Sequence, residues 1–387
     1  MAPLVPPNDL TMAVPAARHL YVHVPFCARR CSYCDFAIAV RRTIPVEEYV
    51  SAVMAELRTR LQTAKLGALS TIYLGGGTPS KLGSDGIARL LDAIRSLDGI
   101  DVDSDAEVTI EANPEDVTRE GATAWRLAGV NRLSLGTQTF DARALAWMHR
   151  THDAGAAGRA FEGAREGGFT DISMDLIFAL PDSLDRSWPN DLSRVVALQP
   201  EHLSLYGLTV ESGTPLGKWT ARGEALEAPE ERYASEFLLA HETLASAGYE
   251  HYEVSNFARP GRRSRHNGSY WRRVPYVGVG PSAHSFDGSV RRWNQREFEA
   301  WRQRAARGED PMGGAEELTP DNVLAEEMYL GLRTTDGLDL GREDGPTVQA
   351  WVASGWATLV RRRVSLTAEG WLRLDSLAAA LTAARSR

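Results

Sequence analysis

CARRCSYCDF, residues Cys27 to Phe36, holds all three cysteines of the 387-residue chain, spaced C-x3-C-x2-C. Thiols this close together in so long a chain do not make a disulfide framework. They point to a reducing compartment, the cytoplasm, and to a metal site. A c-type haem attachment needs C-x-x-C-H, and Asp35 follows Cys34 instead. Residue type leaves two readings open. A zinc ion would take the three thiolates with His23, which precedes Cys27 by the gap that separates Cys27 from Cys31. An iron–sulfur cubane held by only three thiolates would keep one iron open, the mark of a reactive rather than a structural metal.

Upstream of the cysteines, LYVHV (20–24) reads as a strand that Pro25 ends, opening a loop able to wrap a metal group. Downstream the same rhythm recurs. Strands are expected at 71–75, 106–112, 131–136, 171–180 and 201–208, with helical apolar spacing between them. In PVEEYVSAVMAELRTRL, Val46, Tyr49, Val50, Val53 and Leu57 fall on one face, and Pro45 suits a first helical turn. Further helices fit 84–97, 118–128, 153–166, 185–198 and 227–247. Six strands with intervening helices predict an α/β fold with a parallel sheet whose site lies at the C-terminal strand ends.

Beyond Thr209 the pattern loosens. Residues 249–294 are rich in Tyr, Trp, His, Arg and Gly without clean periodicity. DNVLAEEMYLGL and VSLTAEGWLRLDSLAAAL suggest a small helical or winged-helix-like module at the end. The expected division is a disordered lead-in at 1–17, a core at 18–248, a connecting region at 249–315 and the helical module at 316–387. The N-terminal stretch lacks a basic start followed by an apolar core, so no signal peptide is read there. A net charge of −8 argues against a nucleic-acid footprint. No apolar run approaches the roughly 18 residues of a membrane span, so no stable membrane insertion is expected.

YVHVPFCARRCSYCDF (21–36) resembles the cluster-binding loop of radical S-adenosylmethionine (SAM) enzymes, and specifically the branch holding the oxygen-independent coproporphyrinogen oxidases and the HemW-type haem chaperones. The resemblance runs from about residue 18 to the end. It implies an incomplete (βα)6 barrel in which Cys27, Cys31 and Cys34 bind a [4Fe–4S] cluster and SAM chelates the open iron. By the same resemblance, Gly76, Gly77 and Thr78 of YLGGGTPS would contact the SAM amino end, and Glu111 of TIEANPED its ribose. Tyr21, Tyr33, Gln138 of LSLGTQTF, Arg150 of HRTH and Asp175 of SMDLIFALP would complete the SAM pocket. A charge inside an apolar strand is costly unless paired, so Asp175 needs a partner, and Arg150 is the expected one.

Two features separate the branches. The oxidases carry a further cysteine two residues after the third, where this chain has Phe36. RHNGSYW (265–271) matches the H-N-x-x-Y-W pattern of the chaperones, with His266, Asn267, Tyr270 and Trp271 in place. Histidine is a common haem ligand and aromatic rings offer flat apolar surface to a macrocycle. His266 is therefore the expected haem ligand, oriented by Asn267, with His284 of VGVGPSAHSF second. The implied function is haem binding and transfer to a haem-accepting apoprotein, with SAM turnover left open. The rival expectation is a radical enzyme acting on a porphyrin, such as coproporphyrinogen oxidation.

Overall fold

The structure, a computed structural model, describes residues 16–342 and 344–386. The expected lead-in lies outside the described residues up to position 15. Six strands run parallel in chain order: β1 (Ala17–Val24), β2 (Leu66–Gly76), β3 (Val102–Ala112), β4 (Arg132–Gln138), β5 (Ile172–Phe178) and β6 (His202–Gly207). Helices α1 (Val46–Leu61), α2 (Gly83–Arg95), α3 (Arg119–Leu127), α4 (Ala156–Glu166) and α5 (Trp188–Leu198) fill the crossovers, as the periodicity predicts. The expected (βα)6 unit is present, and the sheet stays open.

Strand parity explains the shape. One set of alternate residues is apolar and fully buried: Leu20 and Val22, Ile72 and Leu74, Leu133 and Leu135, Met174 and Leu176, Leu203 and Leu205. These side chains pack against the helices. The other set is polar and pairs in register from strand to strand: His19 with Thr71, Tyr21 with Tyr73, Glu111 with Ser134, Ser134 with Ser173, and Asp175 with Ser204. Successive side chains of a strand point to opposite faces, so the inside of the partial barrel is a polar chamber.

The segment without clear periodicity finishes both edges of this sheet. Val277–Val279 pairs parallel with β1, and Asn256–Ala258 pairs antiparallel with β6, followed by Glu250–Glu253. Strands of three or four residues are too short to carry a readable alternation, which is why the sequence reads as irregular there. Between them the short helix Arg265–Trp271 is docked by its N-terminus. Glu107 accepts from the backbone N–H groups of Arg265 at 2.8 Å and His266 at 2.9 Å, favourable at the positive end of a helix.

The C-terminal module combines the helix Pro320–Arg333, capped by Thr319 and Asn322, with a three-stranded antiparallel sheet and the helix Leu374–Arg385. This is the winged-helix-like arrangement expected. Trp371 binds it together, donating its indole N–H to the Leu332 carbonyl at 3.0 Å. No helix among the described residues is long and apolar enough to cross a membrane.

Candidate cluster and cofactor site

Pro25 ends β1, and the chain then loops out and returns. Phe26–Cys27 pairs with Ala39–Val40, closing a loop that carries all three cysteines. Two backbone bonds fix its middle: Ser32 N–H donates to the Met148 carbonyl at 3.1 Å, and Leu216 N–H to the Ser32 carbonyl at 2.8 Å. Tyr33 packs against the apolar cluster of Leu145, Met148, Ile177 and Leu180. The loop is thus held over the C-terminal ends of β1 to β6, above a cavity of about 420 Å³ that Cys27, Cys31 and Cys34 line together.

Cys27 Sγ lies 3.4 Å from Thr78 Oγ1, and Arg150 Nη1 donates to Cys31 Sγ at 3.6 Å. Burial raises the pKa of Cys27 and pushes Cys34 up to about 11. Such thiols stay protonated until iron binding supplies the compensating charge.

His23 does not fit the zinc alternative. Its Nε2 lies 2.9 Å from the Ala37 carbonyl and its Nδ1 3.0 Å from the Tyr21 hydroxyl. Burial lowers its pKa to about 4, so the ring is neutral, with Nε2–H donating and Nδ1 accepting. Both nitrogens are spent. Among the described residues no three His, Cys, Asp or Glu side chains converge on a point fit for one metal ion. The three thiols that line one cavity are the ligand set a three-thiolate cubane would take.

The cavity floor is the polar chamber. Gly76 ends β2 and Gly77 follows it, both where a side chain has no room. Gly76 has φ 108°, and a Cβ there would meet the His23 ring at 2.5 Å; one on Gly77 would meet the Pro25 carbonyl at 2.7 Å. Gly76 N–H donates to Glu111 at 3.0 Å, and the Tyr73 hydroxyl donates to its other oxygen at 2.8 Å. Burial, partly offset by the Tyr73 bond, pushes the Glu111 carboxyl up to about 7. Gln138 follows a register shift in β4 and adopts φ 65°, a left-handed backbone that non-glycine residues adopt chiefly at functional sites and turns. Gly76, Gly77, Thr78, Glu111, Gln138, Arg150 and Asp175 all face this cavity, with Tyr33 on its roof. The donors and acceptors suit a zwitterion with a ribose.

Three expectations need correction. Asp175 and Arg150 are not partners. Asp175 accepts from Ser134 Oγ at 3.1 and 3.0 Å and from Ser173 Oγ at 3.3 Å. Hydroxyls on the neighbouring strand β4 and on its own strand satisfy it because they share its parity. Arg150 instead clamps the rim, with Nη2 donating to Asn113 Oδ1 at 2.7 Å and the Gly136 carbonyl at 2.9 Å. Tyr21 is the second correction: it lines a neighbouring cavity rather than this one.

His266 is the third. It is 1% exposed, with Nδ1 2.6 Å from Thr71 Oγ1 and Nε2 2.8 Å from the Tyr270 hydroxyl, and its ring stacks on Tyr73. Burial lowers its pKa to about 3. In this conformation it is a packed, hydrogen-bonded core residue with no nitrogen free for iron. Asn267 does not orient the imidazole, whose two nitrogens pair with Thr71 and Tyr270. His284, by contrast, is exposed on the wall of the neighbouring cavity.

Sequence reasoning passed over Asn113, Ser134 and Tyr73. Parity was the available signal, since Tyr73 stands two residues before Gly75 and Ser134 pairs with Glu111.

Comparison with known proteins agrees with this geometry. Residues 21–195 match the radical SAM superfamily. The heme chaperone HemW of Mycobacterium tuberculosis is 37% identical over 366 residues, 92% of this chain and 93% of that protein. The heme chaperone HemW of Bacillus subtilis is 35% identical, over 83% of this chain and 85% of that protein. Among solved structures, the coproporphyrinogen III oxidase HemN from Escherichia coli, a radical SAM enzyme, superposes with a TM-score of 0.79 at 24% identity. That match covers 95% of this chain and 91% of the oxidase, and it establishes the fold. The chain belongs to the radical SAM superfamily and, within it, to the family of the heme chaperone HemW.

Proposed function

We propose that this chain is a haem chaperone, which binds haem and passes it to a haem-accepting protein on a fold that also holds a [4Fe–4S] cluster and SAM. Full-length relatedness to heme chaperones supports the cargo, and the three-cysteine loop above a polar chamber supports the two resident groups. A cytoplasmic site of action belongs to the same proposal.

Cys27, Cys31 and Cys34 would hold the cluster, which when bound would supply the electron for reductive cleavage of SAM. Glycine backbone at Gly76 and Gly77, Glu111 and Gln138 would orient the SAM zwitterion and ribose. Arg150 positions the Cys31 side of the loop through Asn113 and Gly136. Phe36 takes the place of the additional cysteine of the oxidases and is 58% exposed, so the loop offers no fourth thiol near the opening.

The single observation carrying this reading over porphyrinogen oxidation is that absent thiol in a chain related along its length to heme chaperones. The test is anaerobic incubation of the cluster-loaded protein with SAM, reductant and coproporphyrinogen, alongside haem. Haem uptake without protoporphyrinogen is the expected result. Stoichiometric protoporphyrinogen with 5′-deoxyadenosine would make the chain an oxidase.

A further inference from the structure

A second cavity of about 630 Å³ backs onto the first, within the roughly 300–1,000 Å³ of sites that enclose sizeable organic ligands. Asp35, Phe36, Gly76 and Glu111 form part of both linings. The mechanism above uses none of the remaining wall.

That wall has three kinds of group. Tyr270, Trp271, Tyr276 and Phe286 make it aromatic, with Tyr270 edge-on to Tyr276 at 4.7 Å between centroids. Arg273, Arg291 and Arg296 make it cationic. Glu326 and Glu327 engage the first two, whereas Arg296 has no carboxylate partner among the described residues and donates only to the Asp35 carbonyl. The Trp271 indole N–H and Arg273 Nη2 also lack a partner among the described residues.

The third group is His284. Its side chain makes no hydrogen bond among the described residues, and its ring lies nearly parallel to Trp293, 5.8 Å away, which sets the ring plane. Burial and the nearby Arg291 charge lower its pKa, keeping the imidazole in the neutral form that ligates metals.

Flat apolar walls, unpaired donors for carboxylates and one free neutral imidazole are the complement of a metalloporphyrin with carboxylate side chains. A second SAM fits worse, since its sulfonium would meet three guanidinium groups. A metal-free porphyrinogen would leave the imidazole without a role.

We propose that this second cavity is the haem site, with His284 rather than His266 bound to the iron and Arg296 engaging a propionate. The proposal rests on the haem-binding reading above. His266 then lies behind the wall: Tyr270 is the only cavity residue it bonds, and through that bond it positions one aromatic panel.

The experiment is a titration of the full-length, cluster-loaded protein with ferric haem and, separately, with iron-free protoporphyrin, in the wild type, His284→Ala, His266→Ala and Arg296→Ala. Circular dichroism and iron content check each variant. His284→Ala should shift the Soret band and weaken haem by at least about tenfold, the low end of what disturbing even an outer-sphere metal partner costs. Its affinity for protoporphyrin should not change, because no iron bond is involved. Arg296→Ala should weaken both ligands, and equally so. An unchanged Soret band in His284→Ala would overturn the assignment, and loss of the band only in His266→Ala would put the iron there. A wild-type chain that takes up no haem would instead remove the chaperone reading, and this placement with it.

Discussion

Arg296 donates to the backbone carbonyl of Asp35 at 2.8 Å, joining the cysteine loop to a segment 261 positions away in sequence. The bond sits where the two cavities meet. It makes the outer arm of the cluster loop part of the second cavity's rim.

Arg296→Ala should therefore loosen the loop without unfolding the chain. Amide hydrogen exchange over residues 35–37 is expected to quicken, while global stability changes by no more than about 1 kcal/mol, as for one exposed hydrogen bond. Unchanged exchange there would mean the loop is held by its other anchors, at Ser32 and Tyr33.

Arg150 is a different matter, because it is half-buried and serves three acceptors: Asn113, Gly136 and Cys31. Arg150→Ala leaves the first two without a donor and should cost about 1–3 kcal/mol in urea denaturation. Lysine lacks the planar fork and should not restore the loss. SAM retention after anaerobic reconstitution should fall in both variants. Full recovery in Arg150→Lys would show that charge alone matters.

Glu111 predicts a pH dependence. Its carboxyl is raised in the folded chain from 4.5 to about 7, chiefly by burial. Between these values the unfolded state has released the proton and the folded state keeps it. Stability contributed by the protonated form is complete below pH 4.5 and is lost as pH rises through 7. In Glu111→Gln the decline of melting temperature over this window should be shallower. It should not vanish, because Glu56, buried among Gly280, Asn294 and Trp301, is raised to about 7 as well. An identical slope in the variant would show that Glu111 titrates normally.

His266→Ala should destabilise the fold. The substitution leaves the Tyr270 hydroxyl without its partner, at a cost of about 1–3 kcal/mol for an unsatisfied group, and takes one of two partners from Thr71, which keeps His19. Urea midpoints measure this. A variant as stable as the wild type would remove the structural explanation for the H-N-x-x-Y-W pattern.

The contrast between His266 and His284 shows how far the sequence could be read. The cysteine loop and the six parallel strands were legible, because each strand is long enough for alternation to show and each glycine or acid at its end is local in sequence. Residues 249–294 were not, since their strands are only three to five residues long, and Val277–Val279 pairs with β1, 257 positions away. A motif there names residues without saying which are buried, and His266 and Tyr270 proved to bond each other. Asp175 shows the same limit from inside a clear strand. Its need of a partner follows from burial cost, but the partners are hydroxyls on the flanking strands β4 and β6 and on its own strand, set by register.

The cysteines offer a simpler check. Cys31 is only half-buried, so Cys31→Ala should abolish the brown cluster chromophore and its roughly four irons while the far-ultraviolet circular dichroism stays unchanged. Retained iron would place the cluster elsewhere; loss of soluble protein would show that the barrel needs it.

The decisive measurement is haem transfer. The cluster-loaded protein, saturated with haem and freed of excess, is mixed with a haem-free acceptor, the two are separated, and each Soret spectrum is recorded. A chaperone should show a saturable Soret band that leaves this chain and appears on the acceptor. Failure to take up haem, or haem that never leaves, would contradict it.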